Sequence, residues 1–137
     1  MGIILDSSIL IAFERRRFDL ERLLTDYSPT AIAAITAAEL LIGVHRADTP
    51  ERRTRREEFV ESIFARLPLI PFDLVQARLY AQRHADLAGR GEVIGDRDLQ
   101  IAVTALNLGY GLATLNTREF QRVPGLTLLD MAAYVVS

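Results

Sequence analysis

The stretch that decides the fold is GIILDSSILIAF, at residues 2–13. Its first half is a short run of apolar and β-branched residues, which is typical of a strand buried on both faces of a parallel sheet. Residues 9–13 then predict the first turns of a helix. Asp6 therefore lies where a strand becomes a helix. Taken alone, an aspartate at such a junction is explained by an Asx turn or a helix N-cap.

Strand-like and helix-like segments alternate along the rest of the chain. Short apolar segments at residues 31–35, 69–70, 111–115 and 126–129 predict four further strands, with helical patterns between them. No hairpin signal joins any two strands, so the sheet is expected to be parallel. We predict a three-layer α/β/α fold, in which helices flank a central, mainly parallel sheet of about five short strands. The length suits a single domain over residues 1–137.

Two helices carry side chains of possible functional interest. A helix predicted to begin near Thr36 has Glu39 three residues later, the spacing of a capping box, which gives Glu39 a purely structural explanation. Gly43 shares a face with Glu39, and a glycine inside a helix suggests that another group approaches closely there. In the helix predicted at residues 73–90, His84 lies on the apolar stripe and is expected to be a packed core residue.

The composition excludes several classes of protein. The chain has no cysteine, which rules out disulfides and thiolate metal sites and favours a reducing compartment. It shows no signal-peptide pattern and no apolar run near the roughly 20 residues of a membrane span, so we expect a cytoplasmic protein. All 16 basic residues are arginine, which excludes a P-loop with its phosphate-binding lysine.

Arginines are concentrated in two runs, at residues 14–17 and 50–58. The formal net charge of the whole chain is −2, so overall charge does not favour nucleic acid. Both runs are expected to be solvated surfaces, because charges of alternating sign usually mark an exposed helix face. Contact with a phosphate backbone is the alternative.

Five polar side chains either follow a predicted strand or open a predicted helix. In an open α/β sheet the carboxyl ends of the strands line one crevice, so residues far apart in sequence meet there. Two carboxylates about 4 Å apart repel by about 4 kcal/mol at an effective dielectric of about 20, more than a helix N-terminus offsets. A hard cation, Mg²⁺ or Mn²⁺, would relieve the conflict and suits phosphodiester hydrolysis by a metal-activated water. The five are Asp6, Glu39, Asp96, Asp98 and Asn116.

Four motifs in register resemble the PIN-domain ribonuclease toxins of the VapC type, and the resemblance covers nearly the whole chain. The motifs are LDSS at residues 5–8, ELLIG at 39–43, IG at 94–95 with DLQIA at 98–102, and TLNTREF at 114–120. The resemblance implies a PIN-like fold and a Mg²⁺-dependent endoribonuclease, with Mn²⁺ as the alternative ion. It also implies the toxin half of a toxin-antitoxin pair and a homodimer, with an antitoxin segment covering the acidic crevice.

The resemblance also assigns roles by position. Asp6 and Asp98 correspond to the principal metal ligands, and Glu39 to the third acid of the pocket. Asn116 stands where many relatives carry a fourth acid. That departure leaves the second metal site open, with Glu119 or Asp96 as compensating acids. The remaining candidate, Ser8, is expected to orient a ligand or a water.

Two other functions remain open from the sequence. The first is a PIN-like protein-binding or RNA-binding module with weakened catalysis, which the neutral Asn116 supports. The second is a metal-dependent phosphatase or DNA nuclease built on similar acids, against which the absence of lysine weighs for the phosphatase. The sequence does not specify the RNA that is cut, and both transfer RNA and messenger RNA are candidates.

Overall fold

Five short strands form one parallel sheet in the computed structural model, which describes all residues from 1 to 137. The strands are β1 (Ile3–Leu5), β2 (Thr30–Ala33), β3 (Leu69–Ile70), β4 (Gly111–Ala113) and β5 (Leu128–Leu129). Their order across the sheet is β3-β2-β1-β4-β5, and every neighbouring pair is parallel. The chain thus builds outward from β1 in one direction and then in the other, which makes β1 the topological switch point.

Seven helices connect and cover the strands. They are α1 (Ser7–Glu14), α2 (Leu20–Asp26), α3 (Ala34–His45), α4 (Pro50–Arg66), α5 (Leu74–Gly89), α6 (Asp96–Leu108) and α7 (Thr117–Phe120), and a 3₁₀ turn follows at Ala132–Tyr134. None of the helices has both the length and the apolar character that crossing a membrane requires.

The core lies in two layers, one on each face of the sheet. Successive strand residues point to opposite faces, so Ile3 and Leu5 join one apolar cluster while Ile4 joins the other. All three side chains are fully buried. The first cluster packs under α1 to α4 and the second under α5 and α6, which confirms the predicted three-layer α/β/α arrangement.

The predicted capping box of α3 is wrong. The helix begins at Ala34, directly after β2, and the residue in the N-cap position is Ala33, which makes no side-chain cap. Thr36 therefore lies inside the first turn, where its buried hydroxyl oxygen has no hydrogen-bond partner. The strand ends early because β2 pairs with the two-residue strand β3, whose last partner is Ala33. Glu39 therefore does not have the capping role that the sequence predicted for it.

The predicted packing of α5 is also corrected. His84 is exposed and stacks on Tyr80 with ring centroids 6.1 Å apart, so it is not a core residue. The helix instead buries Gln76 and Leu87. The buried face of α5 is the one that carries Gln76, whose amide oxygen lies 3.0 Å from the hydroxyl of Thr104 on α6 and can accept its proton.

Candidate active site

Asp6 is held at the carboxyl end of the central strand by three hydrogen bonds. Its side chain is 5% exposed and caps α1. Oδ1 accepts the backbone N–H of Ser7 at 2.8 Å, and Oδ2 accepts the hydroxyls of Ser8 and Thr114, each at 2.7 Å. Because three donors satisfy this buried carboxylate, its orientation is fixed.

Ser8 and Thr114 tie the carboxylate of Asp6 to the loop after β4. The Ser8 oxygen accepts the backbone N–H of Leu115 at 3.0 Å, and the Thr114 oxygen accepts that of Asn116 at 3.0 Å. Each hydroxyl therefore has its proton directed at Asp6, because its lone pairs face a backbone donor. The two hydroxyls act as orienting groups for Asp6.

Thr114 was not among the residues predicted for the site. The sequence did contain an indication of its position, since Thr114 follows β4 as Asp6 follows β1. Leu5 pairs with Ala113 in the sheet, so the next residue of each strand also lies side by side. Applying the strand-end rule to neutral hydroxyls as well as to acids would have identified it.

Asp98 faces Asp6 from the first turn of α6. Burial raises its pKa to about 7, and the hydrogen bond with Glu119 and the negative charges of Asp6, Glu119 and Glu39 add to the effect. The pKa of Glu119 is lowered, first by the hydrogen bond from Asp98 and then by the backbone N–H of Gly95. The pair therefore favours the protonated form of Asp98 beside the ionised form of Glu119.

Glu39 reaches the same cluster from α3. Burial raises its pKa, the charge of Asp6 raises it further, and the guanidinium of Arg97 partly opposes both effects. Arg97 lies 3.6 Å from the Glu39 carboxylate. The structure thus brings Asp6, Glu39, Asp98 and Glu119 into one electrostatic neighbourhood, which we call the acidic crevice.

Two of the predicted residues are placed differently. Asp96 is exposed and accepts the hydroxyl of Tyr80 at 2.8 Å, an interaction that, with burial, raises the pKa of Tyr80 to about 12. Asp96 is absent from the charges that act on Asp98 and Glu39, so it lies apart from the crevice. Asn116 is exposed at the rim and lines a cleft together with Ser8.

The donor chemistry of the crevice fits Mg²⁺. No three acidic or histidine side chains are close enough as they stand to hold a metal ion. Mg²⁺ usually needs only one or two carboxylates, because it retains several waters. A carboxylate offers about four lone-pair directions, and the three hydrogen bonds to Asp6 leave it one. Asp98 binds a proton near neutral pH because carboxylates converge on it, and a cation would replace that proton.

Comparison with known proteins places this geometry in context. The model of the PIN domain family matches residues 3–126. The chain is 35% identical to "Ribonuclease VapC1" of Rickettsia felis, over 97% of this chain and 98% of that protein. It is 32% identical to "tRNA(fMet)-specific endonuclease VapC" of Shigella flexneri, over 95% of this chain and 98% of that protein.

The fold is also similar to chains of solved VapBC complexes. The fold is similar to a chain of the DNA-bound VapBC complex from Salmonella typhimurium, with a TM-score of 0.85, 30% identity, and coverage of 96% of this chain and 99% of that one. It is also similar to a chain of VapBC2 from Rickettsia felis bound to a promoter DNA fragment. There the TM-score is 0.83 and the identity 28%, over 94% of this chain and 98% of that one.

Replacing Thr114 by valine is expected to destabilise the protein by about 1.5–3 kcal/mol, since the buried Asp6 carboxylate loses a charged hydrogen bond. Thr114→Ser keeps the hydroxyl and should lose much less. Urea denaturation at neutral pH measures both free energies of unfolding. Equal stability of the two variants would show that the Thr114 hydroxyl does not hold Asp6.

The raised pKa of Asp98 makes stability depend on pH. The folded state binds a proton that the unfolded state has already released, so the free energy of unfolding falls as pH rises from about 4 to about 7. In Asp98→Asn the free energy of unfolding no longer falls in this way, because the side chain cannot titrate. The amide of the new asparagine still donates a hydrogen bond to Glu119. The melting temperature of the variant relative to wild type should therefore increase between about pH 5 and about pH 8, measured in EDTA.

The matched control is Asp86→Asn, at an exposed position on α5. Its melting temperature relative to wild type should not change over the same pH range. A constant difference for Asp98→Asn as well would mean that Asp98 titrates at its ordinary pKa.

Proposed function

The chain belongs to the PIN domain family, among relatives of the VapC type, and from that premise we propose that it is a Mg²⁺-dependent endoribonuclease and the toxin of a toxin-antitoxin pair. The observation that carries the proposal is the convergence of Asp6, Glu39 and Glu119 on Asp98. Four carboxyls in one crevice destabilise the empty site, and a divalent cation on a phosphodiester substrate is the chemistry that such a site serves.

In this proposal Asp6 and Asp98 hold the ion. When bound, Mg²⁺ supplies a water of lowered pKa and stabilises negative charge on the leaving oxygen. Ser8 and Thr114 keep the Asp6 carboxylate in the orientation that binding requires. Asp98 would hold the ion as a carboxylate, with its proton released to solvent and the Glu119 carboxylate beside it.

Glu39 is proposed as the general base. Its pKa is raised toward neutrality by burial and by Asp6, which makes it a better proton acceptor than an ordinary glutamate at neutral pH. Arg97 holds the carboxylate from the solvent side at 3.6 Å. Asn116, at the rim, offers a neutral amide to a substrate phosphate and adds no further negative charge. The proposal therefore needs one metal ion.

The partners are proposed from the relatives. The two solved structures reported above as similar in fold are VapBC complexes, which supports an antitoxin as a partner. We propose that a segment of this antitoxin covers the crevice. The name of the Shigella protein gives transfer RNA as its substrate, and an RNA of either the transfer or the messenger class is proposed here. A homodimer and a cytoplasmic location complete the proposal.

A second candidate is a binding module with weakened catalysis. Two observations favour it, namely the neutral side chain of Asn116 and the absence of three acidic side chains close enough to hold an ion. The two candidates differ in metal binding and in RNA cleavage, and both differences can be measured.

Purified protein incubated with bulk transfer RNA and Mg²⁺ is expected to cut the RNA, and Asp98→Asn should reduce the rate at least about 100-fold, since even outer-shell partners of a metal cost about 10–100-fold. Gel electrophoresis of the products gives the rate. Asp86→Asn serves as the charge-matched control and should cut normally. Equal cutting by Asp98→Asn would contradict the assignment, and equal cutting of DNA would indicate a general nuclease.

Mg²⁺ alone is expected to bind and to stabilise the protein, by about 1.4 kcal/mol at a concentration tenfold above its dissociation constant. Titration calorimetry and thermal unfolding measure the two effects without any RNA. Asp98→Asn should abolish both, whereas Asp86→Asn should keep them. Wild-type protein that binds no Mg²⁺ would favour the binding module.

A further inference from the structure

Two arginine runs that are far apart in sequence meet on one surface. The end of α1 and the first half of α4 line a cleft of about 510 Å³, whose walls include one acid, Glu14, and one aromatic ring, Phe59. We call it the arginine cleft. Its five arginines are Arg15, Arg16, Arg52, Arg55 and Arg56.

Most of this positive charge is not neutralised within the chain. Only Arg52 forms an ion pair, with Asp48 at 2.7 Å. Arg56 donates to the backbone carbonyl of Gly43 at 2.8 Å, which leaves its guanidinium charge intact, and a Cβ at Gly43 would make only an ordinary contact of 3.9 Å with the Arg56 side chain. Arg15, Arg16 and Arg55 have no acidic partner. A surface of converging guanidinium groups on a chain of net charge −2 is therefore a site for an anion.

The arginine cleft adjoins the acidic crevice. A smaller cavity of about 150 Å³ shares Glu14, Arg15, Arg56 and Phe59 with it and is also lined by Glu39. A chain molecule that leaves the crevice past Glu39 therefore enters the arginine cleft. The two surfaces have opposite charge and share a border.

We propose that the arginine cleft binds the backbone phosphates of a single-stranded stretch of RNA, next to the phosphodiester that lies in the acidic crevice. This inference rests on the proposed ribonuclease function. The crevice itself repels a polyanion, so the phosphates beside the scissile one need positive charge to hold them. The guanidinium fork binds phosphate oxygens in pairs, which suits a phosphodiester backbone.

An acidic protein segment is the competing occupant. It would find the same guanidinium groups, but it has no phosphodiester to place in the acidic crevice that Glu39 shares with the smaller cavity. The ring of Phe59 packs on Phe13, with ring centroids 6.0 Å apart, and on the apolar core, so the arginines are the groups that meet a ligand. The continuity of the cleft with the catalytic acids favours the substrate over a separate partner.

The test is binding of fluorescent oligouridylate in EDTA, where no cutting occurs, measured by anisotropy over a series of salt concentrations. Arg55→Gln and Arg15→Gln should each weaken binding about fivefold near 0.1 M salt and reduce the slope of log K against log salt by about 0.7. Arg78→Gln, an exposed arginine on α5 without an ion pair, is the matched control and should change neither quantity. Circular dichroism confirms that each variant is folded.

The outcomes are distinct. Unchanged affinity and slope for Arg55→Gln and Arg15→Gln, or an equal loss for Arg78→Gln, overturns the inference. If an oligoglutamate of the same charge binds as tightly as the RNA and loses as much in Arg55→Gln, the cleft is a site for an acidic protein segment and the inference is wrong. Loss of RNA binding in both cleft variants supports the inference. If the wild-type protein nevertheless cuts no RNA, the proposed function is overturned and the inference about the cleft is not.

Discussion

The structure depends on one buried carboxylate. Asp6 ends the central strand, begins the first helix, and accepts hydrogen bonds from a backbone N–H and two hydroxyls, one of which comes from the neighbouring strand. Because the strand order reverses on either side of β1, the loops diverge at this point and leave space in front of the acid. The fold therefore both orients this side chain and leaves an opening beside it.

This arrangement is energetically unfavourable for the acidic residues opposite Asp6. Three hydrogen bonds hold Asp6 in place, so Asp98, Glu39 and Glu119 approach a carboxylate that cannot turn away. Asp98 responds by retaining a proton at a pH where an exposed aspartate has lost it. A site that is strained in the absence of a cation is a common feature of functional centres, where activity is obtained at the expense of stability. The buried Thr36 hydroxyl without a partner adds a second local cost on the helix that carries Glu39.

Net charge conceals how the charges are distributed. The formal charge of −2, taken over the whole chain, hides an acidic crevice and an arginine cleft that lie next to each other near Glu39. Adjacent surfaces of opposite sign suit a polyanion as the bound molecule, because the positive surface can hold its phosphates and the negative surface can hold the cation with which it is processed. The exclusive use of arginine favours this role, because a guanidinium cannot lose its charge and pairs with phosphate through two hydrogen bonds.

The sequence by itself determined the elements and their parallel arrangement, because apolar periodicity and the absence of hairpin turns are local properties. It also placed the acids after strands or near the starts of helices, which led to the expectation that Asp6, Glu39 and Asp98 lie together. It did not reveal Thr114, the start of α3 or the buried face of α5. Each of these depends on a partner distant in the chain: β1 beside β4, β3 beside β2, and Thr104 against Gln76. The tertiary structure likewise decided that Glu119 joins the crevice while Asp96 turns to Tyr80, because the rotation of a helix about its axis is set by what it packs against.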